Sequence, residues 1–304
     1  MSVLVLSEHD VRELLPMAEC IEAMEDALRS LARGELHQPL RPMTRAPAGG
    51  TLMGLMPAWR GGDRSAWSLK EIVVAPDNPT RGLDPHQGAV LLHDGVTGEL
   101  RALLNASPIT EIRTAAVSAV ATRALARPTA GTVAILGGGV QARSHEAAMR
   151  AVLPEAELRR WTRGDGGTPE ETLRGADVVC TCTSAREPIL KREWLAPGAH
   201  VNAVGSSVPT ARELDEATMR AATVVVDRRE SALAEAGDLL LAGLGEADIA
   251  AELGEVLESV HPGRTDDGEL TVFKSLGLGV EDLAAAELVV RKAREQGRGV
   301  EVDF

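Results

Sequence analysis

Three cations sit in stretches that are otherwise apolar or conformationally narrow, where two chemistries compete: solvated surface charge, or recognition of a carboxylate. Lys70 interrupts the strand-like run "AWSLKEIVV", where a lysine either marks a solvated edge or points into a pocket. Arg113 opens "RTAAVSAVAT", read as the start of a helix. The helix dipole is positive there, so something negative should compensate, and a substrate carboxylate is one candidate. Arg41 lies in "HQPLRPM" between two prolines, in an extended segment with little freedom. Taken singly, each also reads as an ordinary surface cation.

The stretch "VNAVGSSVPTARELD" poses a similar choice. Its apolar run stops at Gly205 and continues through Ser206, Ser207 and Pro209. These residues either turn the chain and cap the next helix, or end a strand with one of the hydroxyls turned toward a ligand. Two further acids in "DRRESALAEAGDL", Glu235 and Asp238, follow the strand-end Asp227; capping of that helix and lining of a nicotinamide site are the alternatives.

A second chemistry is written in "VAILGGGVQARSHEAAM", where Gly137, Gly139 and Ala142 form G-x-G-x-x-A after a strand and at the start of a helix. The first glycine permits the tight turn, the second lets a pyrophosphate approach the backbone, and the alanine allows close helix packing. The free N–H groups of the helix start then face the phosphates. The end of the next strand selects the cofactor, because an acid there accepts from a ribose hydroxyl and repels a phosphate. Thr162 and Arg163 occupy that place in "RRWTRGDGG", which favours NADP(H); Asp165 at the strand end instead would return NAD(H).

These residues need elements to hold them. The chain opens with a short strand and apolar positions at helical spacing, capped by "SEHD" and ended by a glycine in "LARGE". A run of mostly antiparallel strands follows, with "HDGVTGE" as a hairpin, and then the alanine-rich helix "SPITEIRTAAVSAVATRALA" with a Ser or Thr cap. From Thr132 strands and helices alternate, which predicts a doubly wound parallel sheet. The tail "GVEDLAAAELVVRKAREQGRG" is a helix outside that alternation. The expected fold is α/β: a Rossmann-type domain over 126–278, and a discontinuous α+β domain from 1–125 with 279–304.

The 304 residues suffice for two cores, and 44% are hydrophobic. With 32 basic and 45 acidic residues the net charge is −13, which argues against nucleic acid or an anionic membrane as partner. No run approaches the roughly 18 apolar residues of a membrane span, and the start "MSVLVLSEHDV" has no signal pattern. A cytoplasmic protein is expected. Cys20, Cys180 and Cys182 lack the His or Cys partners of a metal site and are read as buried structural thiols, with no metal expected.

The blocks "HQGAVLLHDGVTGELRALLNASPITEIRTAAVSAVATRALA", "AILGGGVQAR", "VNAVGSSVPTARELDEATM" and "TVFKSLGLGVEDLAAAELV" resemble, in order and over nearly the whole chain, the ornithine cyclodeaminase and mu-crystallin family. The resemblance implies a homodimer acting on amino acids or the corresponding imines with NAD(P), the discontinuous domain serving substrate and dimer contacts. It places Arg41, Lys70 and Arg113 around the substrate carboxylate and reacting carbon, with clustered positive charge lowering the pKa of Lys70. Val140 and Gln141 in the glycine loop, with Thr183, Val204 and Lys274 at later strand ends, complete the cofactor set. The segment of Phe273, Lys274 and Ser275 is expected to close over the nicotinamide, and the "HQ" pair of His86 and Gln87 matches the mu-crystallin branch, with His86 structural.

Two departures choose within the family. Ser207 stands where the cyclodeaminase loop carries an aspartate, and Gly54 in "GLMP" where it carries a glutamate. Binding the distal amine of ornithine favours carboxylates, whereas a ketimine reductase needs cations for the carboxylate, a proton for the nitrogen and a hydride. The expectation is NADPH-dependent reduction of a cyclic imino acid. Arg41 and Arg113 would hold the carboxylate, Lys70 would give the proton or stabilise developing charge, and Ser207 would orient the nitrogen. The alternatives are ornithine or lysine cyclodeamination, alanine-dehydrogenase-like reductive amination, and a non-catalytic NADP-binding protein.

Overall fold

The computed structural model describes residues 2–47, 49–164 and 166–304, and Asp165 lies outside them. In chain order the elements begin with β1 (Ser2–Leu6), α1 (Glu8–Leu14), α2 (Met17–Ala32), β2 (Leu36–His37), β3 (Met43–Arg45) and β4 (Leu52–Arg60). Next come β5 (Ala66–Val74), β6 (His86–Asp94), β7 (Leu100–Asn105), α3 (Ala106–Leu125), β8 (Thr132–Leu136), α4 (Val140–Val152) and β9 (Glu157–Trp161). After these are α5 (Pro169–Leu173), β10 (Val178–Thr181), β11 (His200–Ala203), α6 (Glu216–Ala221), β12 (Thr223–Val226) and α7 (Arg229–Glu235). The chain ends with α8 (Gly237–Leu240), β13 (Ile249–Glu252), α9 (Leu253–Leu257), β14 (Thr271–Lys274), α10 (Gly279–Gln296) and β15 (Val300–Asp303).

The chain divides into two compact units, Met1–Arg113 with Leu278–Phe304, and Thr114–Gly277. The first division was expected after the alanine-rich helix; it falls instead inside α3, which runs unbroken from Ala106 to Leu125.

In the first unit, Ser7 and Asp10 form a reciprocal capping box that starts α1. Pro16 lacks an N–H and restricts the residue before it, so the single helix suggested by apolar spacing becomes two. The sheet runs β15-β1-β7-β6-β5-β4-β2, with β3 also on β4. Its pairs are antiparallel except β1 with β7. The last helix, α10, packs on α2, β4, β5 and β6, so the chain's tail completes the unit formed by its beginning.

The second unit is a sheet of order β13-β12-β14-β11-β10-β8-β9, parallel throughout. Strands β10, β11 and β14 are buried at every position, as the both-faces-covered pattern requires. Leu136, Val179, Val201, Val224, Val226 and Val272 lie at the centre of its core. The protein is α/β, with a doubly wound Rossmann-type sheet. Among the described residues no helix is long and apolar enough to cross a membrane.

Candidate active site

Alternation along β5 sends Ala66, Ser68, Lys70 and Ile72 to its buried face, the face α10 covers. Lys70 is not at an edge: β5 lies between β4 and β6, and Lys70 is paired in register with Met56 and Val90. It is 1% exposed. Its Nζ lies 2.8 and 2.9 Å from the two carboxylate oxygens of Asp282.

Arg113 does not open a helix either. α3 starts at Ala106, where the Asn105 side chain accepts from the Ser107 N–H, so the expected Ser or Thr cap is an asparagine and Arg113 lies mid-helix. Its compensating charge comes from the protein itself. Arg113 Nε donates to Asp282 at 3.0 Å and Nη1 to Glu281 at 2.6 Å, and all three side chains are buried. The result is a buried chain of alternating charge, Lys70 to Asp282 to Arg113 to Glu281. Such pairs persist because removing one partner leaves an uncompensated buried charge, at a cost of about 3–5 kcal/mol.

Both acids sit in the first turn of α10, where the helix dipole favours negative charge, and Glu281 also accepts from the Leu278 N–H. That turn comes close to β4. A Cβ on Gly279 would lie 3.0 Å from the Pro57 carbonyl oxygen and 3.2 Å from that of Met56, so glycine lets the acids reach Lys70 and Arg113.

Burial pushes the Lys70 pKa down to about 8; Asp282 opposes the shift, while Arg113 and Arg41 add to it. Clustered positive charge was the expected cause, but desolvation leads. Arg41, half-buried between β2 and β3, is thus within electrostatic reach of Lys70. Gly54 lies on the same face of β4 as Met56, and a Cβ there would meet Met43 Sδ at 2.8 Å. Met43 therefore fills the place a larger residue would need. His86 and Gln87 begin β6 and are exposed, the Gln87 amide donating to the Asp84 carbonyl.

In the second unit β8 leads directly into the glycine loop. Gly137 has φ +139°, and a Cβ on it would strike the Cys182 carbonyl oxygen at 2.5 Å. Gly139 is the N-cap of α4, without a side-chain cap and with open space around its Cα, and Ala142 is fully buried. Val140 and Gln141 form the first turn of α4. This cradle suits a pyrophosphate: backbone N–H groups at a helix start with no side chain in the way. Thr162 follows the last residue of β9, packs over Gly138, and is succeeded by the exposed Arg163.

The later strand ends carry polar groups already bonded within the unit. Thr183 donates from both N–H and Oγ to Glu213, and the Val204 N–H donates to the Thr181 carbonyl. Ser206 is buried on the Ala211 carbonyl, and Ser207 is half-buried beside it. The turn does not cap the next helix: α6 begins only at Glu216, capped by Asp215. Lys274, expected among the cofactor contacts, has its ammonium inside the unit, 3.0 Å from Asp238 and 3.2 Å from the Ala203 carbonyl. Asp227 caps no helix; it accepts from the N–H groups of Leu276, Gly277 and Arg228. Asp238, in α8, accepts from those of Glu213 and Leu214. Glu235 ends α7.

Glu281, Asp282 and Glu213 were assigned no role from the sequence. For Glu281 and Asp282 the available signal was adjacent acids in a largely apolar block, "GLGVEDLAAAELVV". The three cysteines are free and buried, with the Cys180 thiol pushed by burial up to about 12.

A profile of the ornithine cyclodeaminase/mu-crystallin family matches residues 1–168 and 166–297. The chain is 40% identical to ketimine reductase mu-crystallin of Mus musculus, over 93% of this chain and 95% of that protein. It is 36% identical to a Δ1-pyrroline-2-carboxylate reductase of Bacillus cereus, over 99% and 100%. The solved structure of Thermococcus litoralis Δ1-pyrroline-2-carboxylate reductase, in complex with NADH and L-proline, superposes with a TM-score of 0.93 at 33% identity, over 99% of this chain and 100% of that one.

Proposed function

The chain belongs to the ornithine cyclodeaminase/mu-crystallin family, and from that premise we propose that it is a nicotinamide-dependent reductase of cyclic ketimines. The substrates are Δ1-pyrroline-2-carboxylate or Δ1-piperideine-2-carboxylate, and the products proline or pipecolate. The observation that carries this reading is Lys70, a buried lysine whose pKa burial lowers to about 8, beside a buried arginine. An ammonium poised near neutrality is a proton donor for an imine nitrogen, and arginine is a partner for the carboxylate on the adjacent carbon.

The nicotinamide, when bound, supplies the hydride that reduces the C=N carbon. Arg113 and Arg41 hold the substrate carboxylate, each charged hydrogen bond contributing about 1.5–3 kcal/mol. Lys70 gives its proton to the ring nitrogen, completing the secondary amine, and is reprotonated before the next turnover. Ser207 orients the nitrogen without adding a negative charge near an anionic substrate, and Gly54 adds none beside Lys70. Cyclodeamination would need carboxylates at both positions.

Thr162 and Arg163 at the end of β9 favour NADP(H) over NAD(H), a hydroxyl and a guanidinium serving the 2′-phosphate. The Gly137–Ala142 loop holds the pyrophosphate. A homodimer belongs to the same reading; the face of β4 and β5 away from α10 leaves Met53 and Trp67 more than 40% exposed, an apolar surface suited to a second copy.

The test is NADPH and NADH oxidation with both imines, run beside ammonia release from ornithine with NAD. Imine-dependent oxidation faster with NADPH is expected. Ornithine-dependent ammonia release without imine reduction would reverse the assignment.

A further inference from the structure

Glu213 is the most heavily bonded carboxylate among the buried side chains of the second unit, and it lies in irregular chain between β11 and α6. Its Oε1 accepts from the Thr183 N–H and the Thr183 hydroxyl, each at 2.7 Å. Its Oε2 accepts from the Thr181 hydroxyl at 2.8 Å and the Gly205 N–H at 2.7 Å. Two of these partners are backbone N–H groups, which can only donate. The carboxylate is thus saturated as an ionised acceptor, although burial raises its pKa. Behind it, the N–H groups of Glu213 and Leu214 donate to one oxygen of Asp238, whose other oxygen pairs with Lys274 at 3.0 Å. A Cβ on Gly205 would lie 2.0 Å from the Thr183 carbonyl oxygen and 2.5 Å from Glu213 Oε1, so the segments joined here touch at backbone distance.

Topology says what those segments face. β8 lies between β9 and β10, and the chain winds outward from it in both directions, so the strand order reverses at the β8–β10 boundary. A dinucleotide lies across the carboxyl ends of the strands at such a point, its pyrophosphate on the loop after the first strand and its adenosine toward the second. Its other half runs over the ends of β10 and β11. Those ends are residues 181–183 and 204–207, which Glu213 ties together.

We propose that Glu213 is a positioning residue that locks the 181–183 and 204–207 strand ends to each other, so that they are preformed for the nicotinamide half of the cofactor. This rests on the dinucleotide reading of the Gly137–Ala142 loop. Glu213 touches no part of the cofactor; it fixes the groups that do. An amide of the same shape would turn its NH2 against one backbone N–H, of Thr183 or of Gly205, that can only donate, and release that strand end.

Calorimetric binding of NADPH and of ADP-ribose, which lacks the nicotinamide, separates the two halves without any turnover. Glu213→Gln should weaken NADPH by about 10-fold or more, a loss typical of a broken buried hydrogen bond, and leave ADP-ribose within about twofold. Thr183→Val, which removes one donor and keeps the carboxylate, should produce the same split more weakly. Equal losses for both ligands in the two variants, or an unchanged NADPH affinity, would overturn the proposal. Should Glu213→Gln not fold, an unchanged ligand ratio in Thr183→Val overturns it alone. A wild-type protein that binds neither ligand overturns the dinucleotide reading itself.

Discussion

Each unit buries a charge cluster, and the two are built differently. The first joins Lys70 and Arg113 to Glu281 and Asp282, mainly cation to carboxylate, with the signs in balance. The second sets one lysine against two acids, and the acids are bound mainly by backbone N–H groups and threonine hydroxyls. Cations held mainly by side-chain carboxylates are the kind that an incoming carboxylate can engage by exchange. Acids held by backbone shape the chain around them. The type of partner separates the two clusters more clearly than the number of charges does.

The largest expected effect is on Lys70. Lys70→Ala should lower the rate of imine reduction by about 10²- to 10⁴-fold, the range for loss of a general acid, measured as kcat on protein shown by circular dichroism to be folded. Full activity would remove the first cluster from the chemistry.

Asp282→Asn should act through Lys70 rather than on substrate. Asp282 raises the Lys70 pKa, and burial, Arg113 and Arg41 lower it, so without the carboxylate the pKa falls below about 8. The donor must be protonated, so the alkaline limb of the kcat–pH profile should move to lower pH, by about one unit for every 1.4 kcal/mol of lost interaction. A limb that stays in place would show that Asp282 serves packing only.

The smallest catalytic effect should come from the second cluster. Asp238→Asn strands the buried Lys274 and should cost about 3–5 kcal/mol of stability by urea unfolding, with the alkaline limb unmoved. A shifted limb would erase the distinction between the clusters.

The glycine loop and its strand–helix setting were legible because their spacing is local: three small residues within six positions carry the whole requirement. The alternation that builds the parallel sheet is equally local. Lys70 was not legible as an interior residue, since a strand's position in its sheet depends on neighbours, here β4 and β6, that its own pattern does not name. Arg113 was misplaced because Asn105, not a nearer hydroxyl, starts the helix. The acids were invisible as partners. Asp282 is 212 residues from Lys70 and 169 from Arg113, and locally it reads as an ordinary acid in a first helical turn.

Gly279 gives that turn a further meaning. Both carboxylates of the balanced cluster are carried on one helical turn whose clearance from β4 is set by a missing methyl group. A single added carbon would have to lift the turn by a few tenths of an ångström, and both acids would move away from both cations together. The charge around Lys70 can therefore be graded from a residue that carries none itself, a route by which related chains can drift in the pKa of this lysine while all four charged groups stay the same.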